Sequence, residues 1–168
     1  MNRRNILVIS AVTVLELAML PTIAVSQKKS LKEQIPGTWT VVSCDSTLAN
    51  GTKQPFCVNS NGVLMLDAGG RYVWMMAKRD RPKFTISNRF EAPADEFKAA
   101  AQGLLAQYGT WSINDADKTL TRHIEGALFP NVEGTNDTTS ISLTGDELKL
   151  SQIPAGGGRN ETVFRRAK

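Results

Sequence analysis

The sequence predicts an all-β protein: an antiparallel up-and-down barrel of about eight strands with one inserted α-helix. Three observations lead there. Apolar residues recur with the period of two that a strand requires, in short runs along most of the chain. The runs are joined by connectors made of residues that accept turn geometry. A single stretch breaks the pattern with strong helix formers. Closing such a series of hairpins on itself removes the unpaired edges that an open sheet leaves exposed. A two-sheet sandwich is the alternative arrangement.

The predicted strands are Thr38 to Cys44, Gly62 to Asp67, Arg71 to Ala77, Gly109 to Ile113, Thr119 to Glu125, Thr138 to Leu143, Glu147 to Gln152 and Thr162 to Arg166. Asp67 to Gly70, Asn114 to Asp117 and Thr144 to Asp146 read as hairpin turns. The helix is expected over Ala94 to Gln107, with Pro93 near its start. Phe97, Ala101, Leu104 and Leu105 would share its apolar face, and it would act either as a lid over the barrel mouth or as a brace on the wall. Ile153 to Asn160, with Pro154 and three glycines, reads as a loop.

At the N-terminus, Arg3 and Arg4 precede an apolar run from Ile6 to Leu20 that ends at Pro21. This is the layout of a signal peptide, with a small-x-small site at Ala24-Val25-Ser26. Residues 1–26 are therefore expected to be removed, leaving 27–168 as one domain. Glu16 inside the run, and a length short of the roughly 20 residues of a membrane helix, argue against an uncleaved anchor. The mature chain carries 18 basic and 15 acidic residues, about +3. No basic stripe interleaves with aromatics, which speaks against nucleic acid as a partner. Export predicts a periplasmic or secreted protein. It also predicts a disulfide between Cys44 and Cys57, the only cysteines. One histidine and no paired-ligand spacing leave a structural zinc site without enough donors, and no cofactor is expected.

Several segments, taken together and in order, resemble the bacterial lipocalin-like domain family. They are Ile35 to Ser43 (IPGTWTVVS), Gly62 to Asp67 (GVLMLD), Arg79 to Phe84 (RDRPKF), Tyr108 to Ile113 (YGTWSI) and His123 to Asn131 (HIEGALFPN). The resemblance spans about Leu31 to Arg166 and implies a lipocalin-like barrel with an internal pocket. It also implies that Trp39 plugs the closed end, with Arg165 or Arg166 packed over its indole, and Gly37 serves the turn into the first strand.

His123 and Glu125, two apart on a strand, share a face with Thr121. Facing inward they would form a proton-handling pair; facing outward they would be solvated. Tyr72, Trp74 and Met76 share a strand face that would line a cavity or fill the core. Arg79 and Arg81 would form either a charged rim for an anionic head group or a solvated strand end. The chain lacks a Gly-x-Ser-x-Gly elbow, a phosphate loop and a dinucleotide fingerprint. The expected function is binding or carriage of a small apolar or amphipathic molecule. A cofactor-free isomerase or cyclase using His123 and Glu125, and an envelope structural or interaction protein, are the alternatives.

Overall fold

The computed structural model describes residues 29–53, 57–154 and 156–168; the expected signal segment lies outside them. The chain runs through a helical turn, α1 (Leu31–Gln34), then strands β1 (Gly37–Thr47), β2 (Ser60–Leu66) and β3 (Arg71–Lys78). Helix α2 (Ala94–Gln102) precedes β4 (Leu104–Asn114), β5 (Thr119–Ala127), β6 (Asn136–Thr144), β7 (Glu147–Gln152) and β8 (Arg159–Arg166). Each strand pairs antiparallel with the next, and β8 returns to β1, from Trp39 opposite Arg166 to Thr47 opposite Arg159. That last pairing makes the sheet a closed barrel and removes the sandwich alternative.

The two ends of the barrel differ because the connectors differ. The three tight turns at 67–70, 115–118 and 145–146 all lie at the end where β1 begins, and α1 packs there too. Ser30 caps α1 in a reciprocal box with Glu33, and the Leu31 amide donates to Asp115 Oδ1 at 2.8 Å. The longer connections, from β1 to β2, β3 to β4, β5 to β6 and β7 to β8, start and finish at the other end.

The inward faces read as the two-residue period requires. Trp39, Leu64, Leu66, Leu120, Ile141, Leu148 and Phe164 are buried together in one core. Burying such side chains is worth about 1.5–3 kcal/mol each.

The helix is shorter than its sequence suggests. Gly103 caps α2, and Leu104 and Leu105 belong to β4, opposite Ala77 and Met76. Pairing of the β3 ladder outweighs the helix propensity of two leucines. The helix buries none of its residues. Phe97 packs edge-on against Phe84, ring centroids 5.2 Å apart, and Glu96 accepts hydrogen bonds from the Thr85 amide and hydroxyl. So α2 braces its own connector.

Candidate functional site

Trp39 is fully buried at the narrow end, and its Nε1 donates to the Ile35 carbonyl at 2.9 Å. The Arg166 guanidinium lies over the indole, its Cζ 4.1 Å from the ring centroid. Its Nη1 and Nη2 donate to the carbonyls of Pro36 and Gln34 at 3.0 and 2.6 Å. Gly37 makes this approach possible, because its φ is +143° and a Cβ there would stand 2.7 Å from Arg166 Nη1. Arg165 points outward and is exposed. Every hydrogen-bonding group of the Trp39 indole and the two terminal guanidinium nitrogens is thus engaged within the protein.

The open half of the barrel contains a cavity of about 200 Å³. Trp74, Leu105 and Leu150 supply apolar wall; Arg122, Asp137 and Gln152 supply a polar one. Cys44 and Cys57, joined as a disulfide with Cα atoms 5.1 Å apart, stand at its edge. Arg122 is 1 % exposed. Its Nη2 donates to Asp137 Oδ2 at 2.5 Å, and Gln152 Nε2 donates to Asp137 Oδ1 at 2.9 Å. The Arg122 Cζ lies 4.3 Å from the Trp74 ring centroid, and that ring meets Phe164 edge-on. Burial pulls the Arg122 guanidinium below its usual range, against the opposing pull of Asp137. Burial also raises the Tyr72 phenol, which feels the charge of Arg122. Four buried polar atoms have no hydrogen-bond partner among the described residues: Arg122 Nε and Nη1 and Trp74 Nε1, on side chains that line the cavity, and the Tyr72 hydroxyl, on one that does not.

The His123, Glu125 and Thr121 face looks outward. Glu125 takes a two-pronged ion pair from Arg71 at 2.6 and 2.8 Å, which holds its carboxyl below the usual carboxylate range. His123 Nδ1 lies 2.9 Å from Asn136 Oδ1, and the Thr121 and Thr138 hydroxyls are 2.9 Å apart. The inward orientation that a proton-handling pair requires is not adopted, because the opposite face, Leu120, Arg122 and Ile124, is the buried one. Tyr72, Trp74 and Met76 do point inward. Arg79 and Arg81 stand instead on an outer groove with Val63, Met75 and Leu104, away from the cavity.

Arg122 and Asp137 were missed for identifiable reasons. The face of β5 containing Leu120 and Ile124 reads as apolar, yet one arginine stands in the middle of it. A charge on an apolar strand face is itself the signal, since such residues are almost never fully buried unless paired. Asp137 precedes the predicted start of its strand by one residue, so its inward register was not assigned.

A family model for the lipocalin-like domain matches residues 36–166. The chain belongs to the lipocalin-like domain family. No curated protein matches it. Among solved structures, this lipocalin-like barrel is similar to a redesigned β-barrel, at 14 % identity and a TM-score of 0.43, over 83 % of this chain and 100 % of that one. It is also similar to a de novo fluorescence-activating β-barrel, at 10 % identity and a TM-score of 0.42, again over 83 % and 100 %. A mutant of the fluorescent protein UnaG aligns at 14 % identity and a TM-score of 0.38, covering 80 % and 97 %. Among the described residues of the lipocalin-like chain, no helix is long and apolar enough to cross a membrane.

Proposed function

We propose that residues 1–26 direct export and that 27–168 work in the periplasm or outside the cell, binding or carrying a small amphipathic molecule in the open half of the barrel. The observation that carries this reading is the cavity of about 200 Å³. It joins an indole and two leucines to a buried arginine, with polar residues such as Asp45, Gln107 and Glu161 completing the lining, and apolar wall beside polar groups that can orient a ligand is what a small-molecule site needs. Its volume is below the roughly 300–1,000 Å³ of sites for drug-sized ligands, which favours a short molecule or one whose end projects through the mouth. The disulfide at the cavity edge fits an oxidising compartment.

Native mass spectrometry of the protein purified without detergent from its exporting host tests the reading. A small molecule should accompany the native chain and leave on denaturation. Leu150→Trp, which fills the cavity from β7, should retain the fold by circular dichroism and lose that molecule. An equal load on both proteins would put the ligand elsewhere.

A second reading, an interaction protein of the envelope, draws on the outer wall. Met65, Val73, Met75 and Tyr108 are exposed there on adjoining strands, a patch of the kind that marks contact surfaces. Chemical cross-linking in the exporting host, with Met75→Lys as the control, would reveal a partner lost on substitution.

A further inference from the structure

Arg122 and Trp74 bring unpartnered donors to the cavity wall, whose lining carboxylates are Asp45, Asp137 and Glu161. Arg122 Nε and Nη1 and Trp74 Nε1 can only donate; all three are buried and unpartnered among the described residues, on side chains that line the cavity. Leaving such groups unsatisfied costs free energy that a protein ordinarily avoids. The sealed end of the same barrel avoids it: there an arginine stacked on a tryptophan spends its terminal nitrogens on two carbonyls, and the indole spends its N–H on a third. The open half repeats the stack but gives it one acceptor, Asp137 for Nη2, and leaves Arg122 Nε and Nη1 and the Trp74 N–H without one among the described residues.

Resting on the small-molecule reading above, we infer that the site takes a small monocarboxylate, its head group seated on Arg122 and Trp74 and its short apolar body against Trp74, Leu105 and Leu150. An oxygen acceptor is required by the donor-only set. A carboxylate uses it best, because hydrogen bonds between ionised groups are the strong ones. Asp137 selects the charge. It already occupies Nη2 and neutralises the guanidinium in part, so one negative charge is accommodated and a dianion would be repelled. Arg122 is the only buried cation among the described residues, whereas the other lining carboxylates are already ion-paired, Asp45 with Lys53 and Glu161 with Lys149 and Arg159, and Gln152 occupies Asp137 Oδ1; the free donors therefore favour an anion over an amine.

Isothermal titration calorimetry of the disulfide-intact 27–168 chain at pH 7, with octanoate, 1-octanol and octylamine, tests the assignment. Octanoate should bind at least tenfold more tightly than octanol, and octylamine more weakly than either. Trp74→Phe keeps an aromatic wall and removes an indole N–H that has no partner among the described residues, so the fold should hold by circular dichroism while octanoate weakens about threefold or more and octanol by less. Arg122→Met with Asp137→Asn, which leaves no unpaired buried charge, should abolish the preference for octanoate. Equal affinity for octanoate and octanol in the unsubstituted protein would overturn the head-group assignment and leave the cavity-binding reading standing. Preference for octylamine would overturn it in favour of Asp137. Binding of none of the three would overturn both.

Discussion

At the sealed end Arg166 lies over Trp39, and in the open half Arg122 lies over Trp74, at nearly the same separation, 4.1 and 4.3 Å. Their surroundings differ. The sealed pair has backbone carbonyls from the 34–36 segment to receive its donors, because α1 folds across that end. The open pair has one bonded carboxylate, Asp137, and its remaining donors have no partner among the described residues although they border a cavity. A cation–π contact is worth about 0.5–2 kcal/mol in either place; satisfaction of the remaining donors is what separates a structural plug from a recognition site.

The comparison can be broken most severely at the plug. Trp39→Ala should destabilise by about 3–5 kcal/mol, as large-to-small changes at fully buried aromatics do, read as the urea midpoint multiplied by its slope. A loss below about 1 kcal/mol would mean that the plug is not holding the end closed.

Opening the Cys44–Cys57 disulfide by the double change to Ser tests the other end. The 13-residue separation predicts a loss of about 3 kcal/mol if unfolded-chain entropy dominates. An unchanged urea midpoint would show that the 48–59 connector is held without it.

The two arginines themselves give the sharpest contrast. Arg166→Met should cost about 2–3 kcal/mol, since it removes both the stack and two charge-assisted bonds to carbonyls. Arg122→Met with Asp137→Asn should be neutral or stabilising, because replacing a buried ion pair by uncharged groups frequently is. Equal losses in calorimetric melting would erase the distinction between plug and site.

The smallest effect concerns pH. Glu125 on the outer wall and Glu161 at the mouth are held below the usual 4.5, Glu125 first by its hydrogen bond from Arg71 and Glu161 first by that from Lys149. A lowered folded-state value means that their stabilisation is fully present above about pH 4.5 and is lost as the pH falls through the lowered values. Melting temperature should therefore decline from pH 5 to pH 3, and Glu125→Gln should flatten the decline. A slope that ignores the substitution would assign the acid sensitivity to other carboxylates.

Much of this was legible in the chain. Alternation in each strand run, with turn residues between, was enough for eight strands, and turn residues at 67–70, 114–117 and 144–146 implied that neighbours in sequence pair in space, as they do. Trp39 at the start of β1 and an arginine pair near the C-terminus carried the plug, although only the register of β8, which sets Arg166 opposite Trp39, chose Arg166 over its neighbour. The helix was legible at its start and not at its end, because leucines suit a strand as well once a partner strand is present.

The candidate site was the least legible part. His123 and Glu125 drew attention as the residues most suited to chemistry, but a strand's sequence carries two faces without saying which is inside. Closure of the barrel decided that, turning Arg122 inward and the His123 face to solvent. Asp137 became the partner of the buried Arg122 guanidinium, and Gln152, 15 residues further on, the donor to Asp137, only when β5, β6 and β7 were laid side by side. Local periodicity and turn chemistry, which act over a few residues, were written in the sequence alone. Which donors found acceptors depended on contacts between strands distant in the chain, and those exist only once the sheet has closed.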